Sequence, residues 1–422
     1  MKKVLIITYY FPPSGGAGVQ RWLKMIKYLP QHGVQPVVLT VDPQYASYPQ
    51  CDVSLLADVS PQLTVYRTQT REVLKAYQKM SPQHEIPHTG FSNEQNPTFW
   101  QKIARFIRGN FFLPDPRRGW NRYAYQKAVQ IIEQEGIDTV ITTSPPHSTQ
   151  LIGLQLKKNF KHIYWIADLR DPWSQLFYNQ YLYQTRLAKR LNLWYEQQVL
   201  LHADRVITVS ADCARSFMSP KLPNLQVDIL PNGYDAADFV HVKPMDNGGK
   251  LVLSYVGVLG AEYGIDSLLE ALRKPNLPPH LQLRLVGQVS PIVQEKLQNL
   301  PCEVELVPYV SHQKAVEYMC SADVLLLCIP QMPHNKGILT GKLFEYMAAH
   351  KPILLIGPPD GDAAKLIQDL GIGLCADYDA NAVYACLQVL LNGTFQMPDV
   401  GAVSAYSRQQ ITQQLAHFIL NR

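Results

Sequence analysis

Ten short runs of aliphatic and β-branched residues, each closing on a Gly-, Pro- or charge-rich stretch that leads into helical spacing, constrain this chain's fold more than any other feature. In the first half they occupy 4–10, 36–41, 139–144, 162–168 and 205–210; in the second, 251–257, 281–287, 304–309, 323–328 and 352–357. Strand, loop and helix repeated in this order predict an α/β protein with parallel sheets and crossover helices. Val19, Trp22, Leu23, Ile26 and Leu29 fall on one helical face, and Gly33 supplies the stop. At 422 residues the chain is long enough for two cores. The punctuation near 230–250, LPNGYDAADF followed by KPMDNGGK, divides it into a first domain at 1–235 and a second at 236–400. A final segment, 401–422, carries Ile411, Leu415, Phe418 and Ile419 at helical spacing and must pack on something.

Composition excludes several classes. No apolar run approaches the roughly 18–20 residues that span a bilayer. The opening MKKVLIITYYFPP imitates a secretory leader, but its apolar run is short and stops at Pro12-Pro13, so a strand is expected there. Seven cysteines, none in a C-x-x-C pair, read as free thiols of a cytoplasmic protein, without disulfides or a structural zinc site. A net charge of +5 and a pI near 8.6 suit a phosphorylated small molecule or an acidic membrane surface, and are too mild to argue for nucleic acid.

The segment 91–123 departs from the pattern. It sets Phe99, Trp100, Phe106, Ile107, Phe111, Phe112 and Trp120 among Lys102, Arg105, Arg108, Arg117, Arg118 and Arg122. Two readings stay open: an inserted helix covering the first domain, or an interfacial element at 99–122 resting on an anionic membrane, on the inner face of the plasma membrane.

Chemistry is expected beyond the carboxyl ends of the strands, where loops converge and helix N-termini present free N–H groups. In SGGAGVQR the dinucleotide fingerprint G-x-G-x-x-G fails, because Arg21 holds the third glycine position. Gly15, Gly16 and Gly18 are left to let a backbone turn approach a ligand closely, or simply to make a tight strand-to-helix turn. In HNKGILTGKLFEYMAAHKPILL, Thr340 or Gly341 opens a helix with Lys342 in its first turn and Glu345 one turn later. A diphosphate there would meet backbone N–H groups, the positive dipole end and an ammonium, while Glu345, an acceptor only, suits two vicinal ribose hydroxyls. The plain alternative is a helix whose Glu345 pairs with Lys342. The glycines at strand ends, Gly257, Gly260 and Gly287, belong to the same set of loops, as do Tyr309 and Val310, whose main chain could read a base. Asp168 is read as ending its strand. The D-x-D pairs Asp360/Asp362 and Asp377/Asp379 are explained by turn and cap chemistry, and His84, His88 and His147 lie in loops without metal-ligand spacing, so no metal is expected. His147 in SPPHS stands at a strand end, where it could touch an acceptor.

At these residues the chain resembles the glycosyltransferases of family 4. The family's F-x-P-x-x-G-G loop is approximated by Phe11, Pro13, Gly15 and Gly16; its P-N-G-x-D phrase is met by Pro231, Asn232, Gly233, Tyr234 and Asp235; its E-A-M-A-x-G-x-P helix corresponds to Glu345 through Pro352. The resemblance implies a GT-B fold, two Rossmann-like doubly wound domains facing a cleft, with the last helix crossing back to the first domain. It also implies transfer of a sugar from a nucleotide-diphosphate donor with retention of configuration and without cofactor or metal. The acceptor expected is a lipid-linked or surface-polysaccharide precursor. Three departures stand out. Gly337 replaces the first of two paired glutamates; Val258 and Tyr263 replace the Arg and Lys that clamp the diphosphate, leaving Lys342 with Lys336 to meet its charge; and DLRDPW has Arg170 where relatives have His, with Asp171 in the acidic position, suited to orienting the acceptor hydroxyl. An epimerase of the same architecture and a non-catalytic nucleotide-sugar binder are the alternatives these departures leave open.

Overall fold

The computed structural model describes residues 1–49, 51–71 and 98–422. The chain divides into two compact units, Met1–Pro231 with Ile411–Arg422, and Asn232–Gln410.

The first unit holds a seven-stranded sheet: β1 (Lys2–Ile7), β2 (Val34–Val41), β3 (Thr64–Thr68), β4 (Thr139–Ser144), β5 (Tyr164–Leu169), β6 (Arg205–Thr208) and β7 (Val227–Ile229), in the order β3-β2-β1-β4-β5-β6-β7. Every pairing is parallel. Its central strands are apolar on both faces because helices cover both. On one side Trp120, Ile131, Ile152 and Trp165 pack with Leu5 and Val140. On the other, Val19, Trp22, Leu23 and Ile26 of the helix Ala17–Tyr28 pack with Ile6 and Ile141, joined by Ile411, Leu415 and Ile419 of the last helix, Arg408–Leu420. Gly33 closes the first helical segment in the left-handed region at φ 80°.

The second unit holds a six-stranded parallel sheet, β8 (Leu251–Val256), β9 (Leu281–Val286), β10 (Glu303–Val307), β11 (Val324–Cys328), β12 (Ile353–Ile356) and β13 (Gly373–Ala376), ordered β10-β9-β8-β11-β12-β13. All ten strands expected from the sequence are present. The three it did not show, β3, β7 and β13, all lie at sheet edges and are less completely buried than their neighbours. Reversal of strand order beside β1 and beside β8 places a crevice at the carboxyl end of each sheet, where ligands of such sheets bind. Among the described residues no helix is long and apolar enough to cross a membrane.

Candidate functional site

In the second unit the site is built on three strand ends. β8 and β9 each run into a glycine with positive φ, Gly257 at 133° and Gly287 at 118°, a region closed to most side chains. At Gly287 the backbone leaves no room for a side chain, since a Cβ would lie 2.4 Å from the Gly257 carbonyl oxygen; one on Gly257 would lie 2.4 Å from Lys342 Cε and displace that side chain. The helix Gly341–Ala349 follows β11 and begins at Thr340, whose hydroxyl makes no capping bond and lies buried without a partner. Lys342, in the first turn, therefore reaches across the glycine floor.

The Lys342 ammonium donates to Tyr255 Oη at 2.5 Å, and that hydroxyl donates to the Val258 carbonyl at 2.6 Å. It lies 4.3 Å from the Tyr255 ring centre and 5.7 Å from that of Tyr263. Among the described residues no carboxylate comes within ion-pair reach of it. Burial pushes its pKa down to about 8, with Cys328 and Glu345 pulling weakly the other way. Tyr263, which occupies a place where relatives carry a clamping cation, supplies one of the rings that position Lys342. Tyr255 was not singled out from sequence, because a tyrosine inside an apolar strand looks like core; its place two residues before Gly257 was the available signal.

Glu345 does not pair with Lys342. Its Oε1 lies 3.0 Å from His312 Nε2, and the carboxylate is largely shielded from solvent. His312 opens the helix His312–Ser321 after β10 and had no motif to reveal it. Tyr309 and Val310 lie in the loop just before, Tyr309 exposed and Val310 packed against the core. Gly260 precedes the short turn Ala261–Tyr263, and Gly337 lies in the turn leading to Thr340. Lys336, expected to join Lys342 in meeting the diphosphate charge, forms an exposed ion pair with Asp360, and its carbonyl accepts from Asp362 N at 2.8 Å.

The first unit gathers charge differently. Asp168 is not a strand terminator. It is fully buried, near the end of β5, and accepts from Trp22 Nε1 at 2.7 Å, Thr143 Oγ1 at 2.7 Å and Arg21 Nη2 at 3.2 Å, while its carbonyl accepts from Gln150 Nε2 at 2.7 Å. Arg21 in turn donates to the Pro231 carbonyl at 2.8 Å. Arg170, two residues on, donates through Nε to the Ser144 carbonyl at 2.8 Å. Its guanidinium covers Gly18, where a Cβ would fall 2.6 Å from Nη1. The close approach expected of a ligand at Gly18 is thus made by Arg170. Gly16 stays open beside it, at φ 98° with nothing within 4 Å of its Cβ position, and Gly15 just before it is half-buried. Burial raises the pKa of Asp171, opposed by Arg170 and reinforced by Asp168.

His147 lines a cavity of ≈ 110 Å³ in this unit with Tyr10, Asp115, Trp173 and Asn192. Its ring stacks on Trp173 at 5.0 Å and 13°, both nitrogens lack partners, and burial with the nearby Arg170 lowers its pKa to about 3, so it is neutral. His84 and His88 lie outside the described residues. Among the described residues, no group of three or more His, Cys, Asp or Glu is placed to hold a metal.

Two parallel sheets with switch-point crevices, one floored by glycine beneath an ammonium, define a doubly wound α/β protein. The sequence profile of Glycosyltransferase Family 4 matches residues 15–238, and that of Glycosyl transferases group 1 matches 250–392. The chain belongs to glycosyltransferase family 4, and its fold is GT-B. No curated protein matches it. Among solved structures, sucrose-phosphate synthase from Thermosynechococcus elongatus superposes with a TM-score of 0.65 at 17% identity, covering 100% of this chain and 99% of that one. HepE from Anabaena in complex with UDP gives 0.63 at 13%, covering 100% of both. A glycosyltransferase from Rickettsia africae gives 0.60 at 14%, covering 100% of this chain and 99% of that one. At these identities the likeness is one of fold.

Proposed function

We propose that this glycosyltransferase takes its sugar from a nucleotide-diphosphate donor bound in the second unit, and transfers it with retention to an acceptor carried on a lipid or polysaccharide precursor. The observation that carries the donor reading is the Lys342 ammonium, held by two tyrosines over Gly257 at the start of a nine-residue helix, with no carboxylate in ion-pair reach among the described residues. A diphosphate supplies the missing charge, and the unspent Thr340 hydroxyl and the first N–H groups of the helix supply donors. Glu345, oriented by His312, accepts from ribose hydroxyls. Transfer with retention needs no second carboxylate at glycosidase spacing: the leaving phosphate takes the acceptor proton while Asp171 and Arg170 orient the incoming hydroxyl and His147 touches the acceptor. Gly15 and Gly16, at the head of the helix Ala17–Tyr28, serve the same phosphate-bearing substrate.

Because the Anabaena HepE structures hold UDP and UDP-glucose, uridine nucleotides are the first probes. A panel of nucleotide sugars tested by thermal shift is expected to show a donor that stabilises the chain by roughly 2.7 kcal/mol at about 100 times its dissociation constant. Lys342→Ala should abolish the shift, and a panel with no stabilising member would reject the reading. The segment 99–122 is proposed to rest on an anionic membrane on the cytoplasmic side, which bears on the acceptor.

A further inference from the structure

Two helices of the first unit are built the wrong way round for a protein in water. An ordinary surface helix turns its apolar stripe inward. In the helix Phe99–Phe111, Arg105 and Gly109 are buried, Gly109 so tightly that a Cβ would meet the Leu182 carbonyl at 2.3 Å. Phe99, Trp100, Phe106, Ile107 and Phe111 point outward, Trp100 75% and Phe111 74% exposed. The helix Arg186–His202 goes further: it buries a mixed polar and apolar face and turns a leucine-rich one outward. Ala188, Asn192, Glu196 and Val199 are buried against the unit, and Leu187, Leu191, Trp194 and Leu201, spaced at i, i+4, i+7 and i+14, form a second stripe in solvent, with Leu187 76% exposed.

The two helices pack together, and their junction is fixed. Asn110 donates to the Tyr183 carbonyl at 3.2 Å and accepts from Thr185 N at 2.8 Å, the residue that caps the second helix. Between 98 and 112 and again between 183 and 195 there is no Asp or Glu, whereas Lys102, Arg186, Lys189 and Arg190 are exposed. Outward aromatics and leucines fringed by cations with no anion among them match the depth profile of an anionic bilayer: acyl chains below, phosphates at the rim.

We propose that Arg186–His202 is a second membrane-binding helix, and that together with Phe99–Phe111 it forms one bilayer-contacting face. This deepens the membrane reading given for 99–122 and extends it to a helix about 80 residues further along the chain, one whose lipid-facing stripe is Leu187, Leu191, Trp194 and Leu201. A second copy of this chain would need charge of the opposite sign facing that rim, and the face itself offers none.

The full chain is to be floated with vesicles of phosphatidylcholine alone and with about a third phosphatidylglycerol. Wild type is expected to float with the anionic vesicles at least about ten-fold better, losing that advantage at high salt. The triple variant Leu187→Ser, Leu191→Ser, Trp194→Ser, with Phe99–Phe111 intact, should lose about ten-fold or more in vesicle partitioning. Brominated acyl chains should quench wild-type fluorescence more than that of Trp194→Phe. Because the three positions are solvent-facing, thermal stability and donor-induced stabilisation should stay unchanged in the triple variant, which separates this inference from the donor reading. Wild-type flotation by the triple variant would overturn the proposal, as would wild type that ignores vesicles or a concentration-dependent dimer that the triple variant dissolves.

Discussion

The buried charges of the first unit and the half-buried cation of the second solve opposite problems. Around Asp168, an arginine, an indole and a hydroxyl converge on one carboxylate, so the charge is neutralised within the fold. Around Lys342, two aromatic rings, a phenol and a glycine floor hold an ammonium in place without neutralising it. A charge paired inside the protein stiffens the scaffold, and a charge positioned but unpaired is available to a substrate. The contrast gives each centre its own signature under mutation.

The largest effect is expected at the paired centre. Asp168→Ala leaves Arg21 buried without its carboxylate and should cost about 3–5 kcal/mol by denaturant titration. Arg21→Met should recover part of that loss in the Asp168→Ala background; a mild loss for Asp168→Ala alone would mean the pair is not what holds these strand ends. Next comes Lys342→Ala, which should lower kcat/KM by about ten-fold or more while leaving stability unchanged or higher, since a desolvated ammonium is removed. Equal damage to stability and activity would erase the difference between the two centres.

Gly257→Ala should damage the donor site through geometry alone, because the added Cβ would meet Lys342 Cε at a position where φ is 133°. A loss of about 1–3 kcal/mol of stability is expected, with weaker binding of whichever nucleotide sugar stabilises the wild type; binding at wild-type strength would show that the glycine floor has no part in it. Titration sharpens the comparison further. Lys342 titrates near 8 in the folded chain and at the ordinary lysine value, about 10.4, when unfolded, so the folded state holds fewer protons across that window. Its contribution to stability therefore rises with pH from about 8 to 10.4, whereas affinity for a diphosphate falls over the first part of the same range as the ammonium is lost. Calorimetric UDP affinities between pH 7 and 9 should show the fall in wild type and a flat profile in Lys342→Arg. The smallest effect belongs to His350, which ends the donor helix at φ 54° where relatives carry glycine. His350→Gly should add about 1 kcal/mol of stability without changing kinetics.

Ten strands, both sheets' parallel character, the helix at Gly341 and the left-handed stop at Gly33 were legible because each is written within a few consecutive residues: an apolar run, a glycine, a change of period. Strands β3, β7 and β13 were not, since a half-covered edge needs no continuous apolar run. Within the candidate site, Lys342, Glu345 and Gly257 were marked by being polar or small among apolar neighbours. Tyr255 and His312 were not, because a strand tyrosine and a loop histidine are common without any ligand. The second outward stripe was hidden for a related reason: Arg186–His202 carries apolar residues on both its buried and its exposed side, and a sequence cannot say which side the fold will use.

What the chain's own residues determined is local and periodic: element type, the positions that need glycine, and a total charge suited to an anionic partner. What only the folded molecule decided is which groups meet. Lys336 went to Asp360 and Lys342 to Tyr255, Glu345 to His312 and Arg170 to Gly18, and no spacing rule distinguishes these outcomes. The physical reason is that periodicity records which side of an element meets apolar matter, whereas pairing depends on distances between residues far apart in the chain, 147 positions for Arg21 and Asp168, set only when the sheets close.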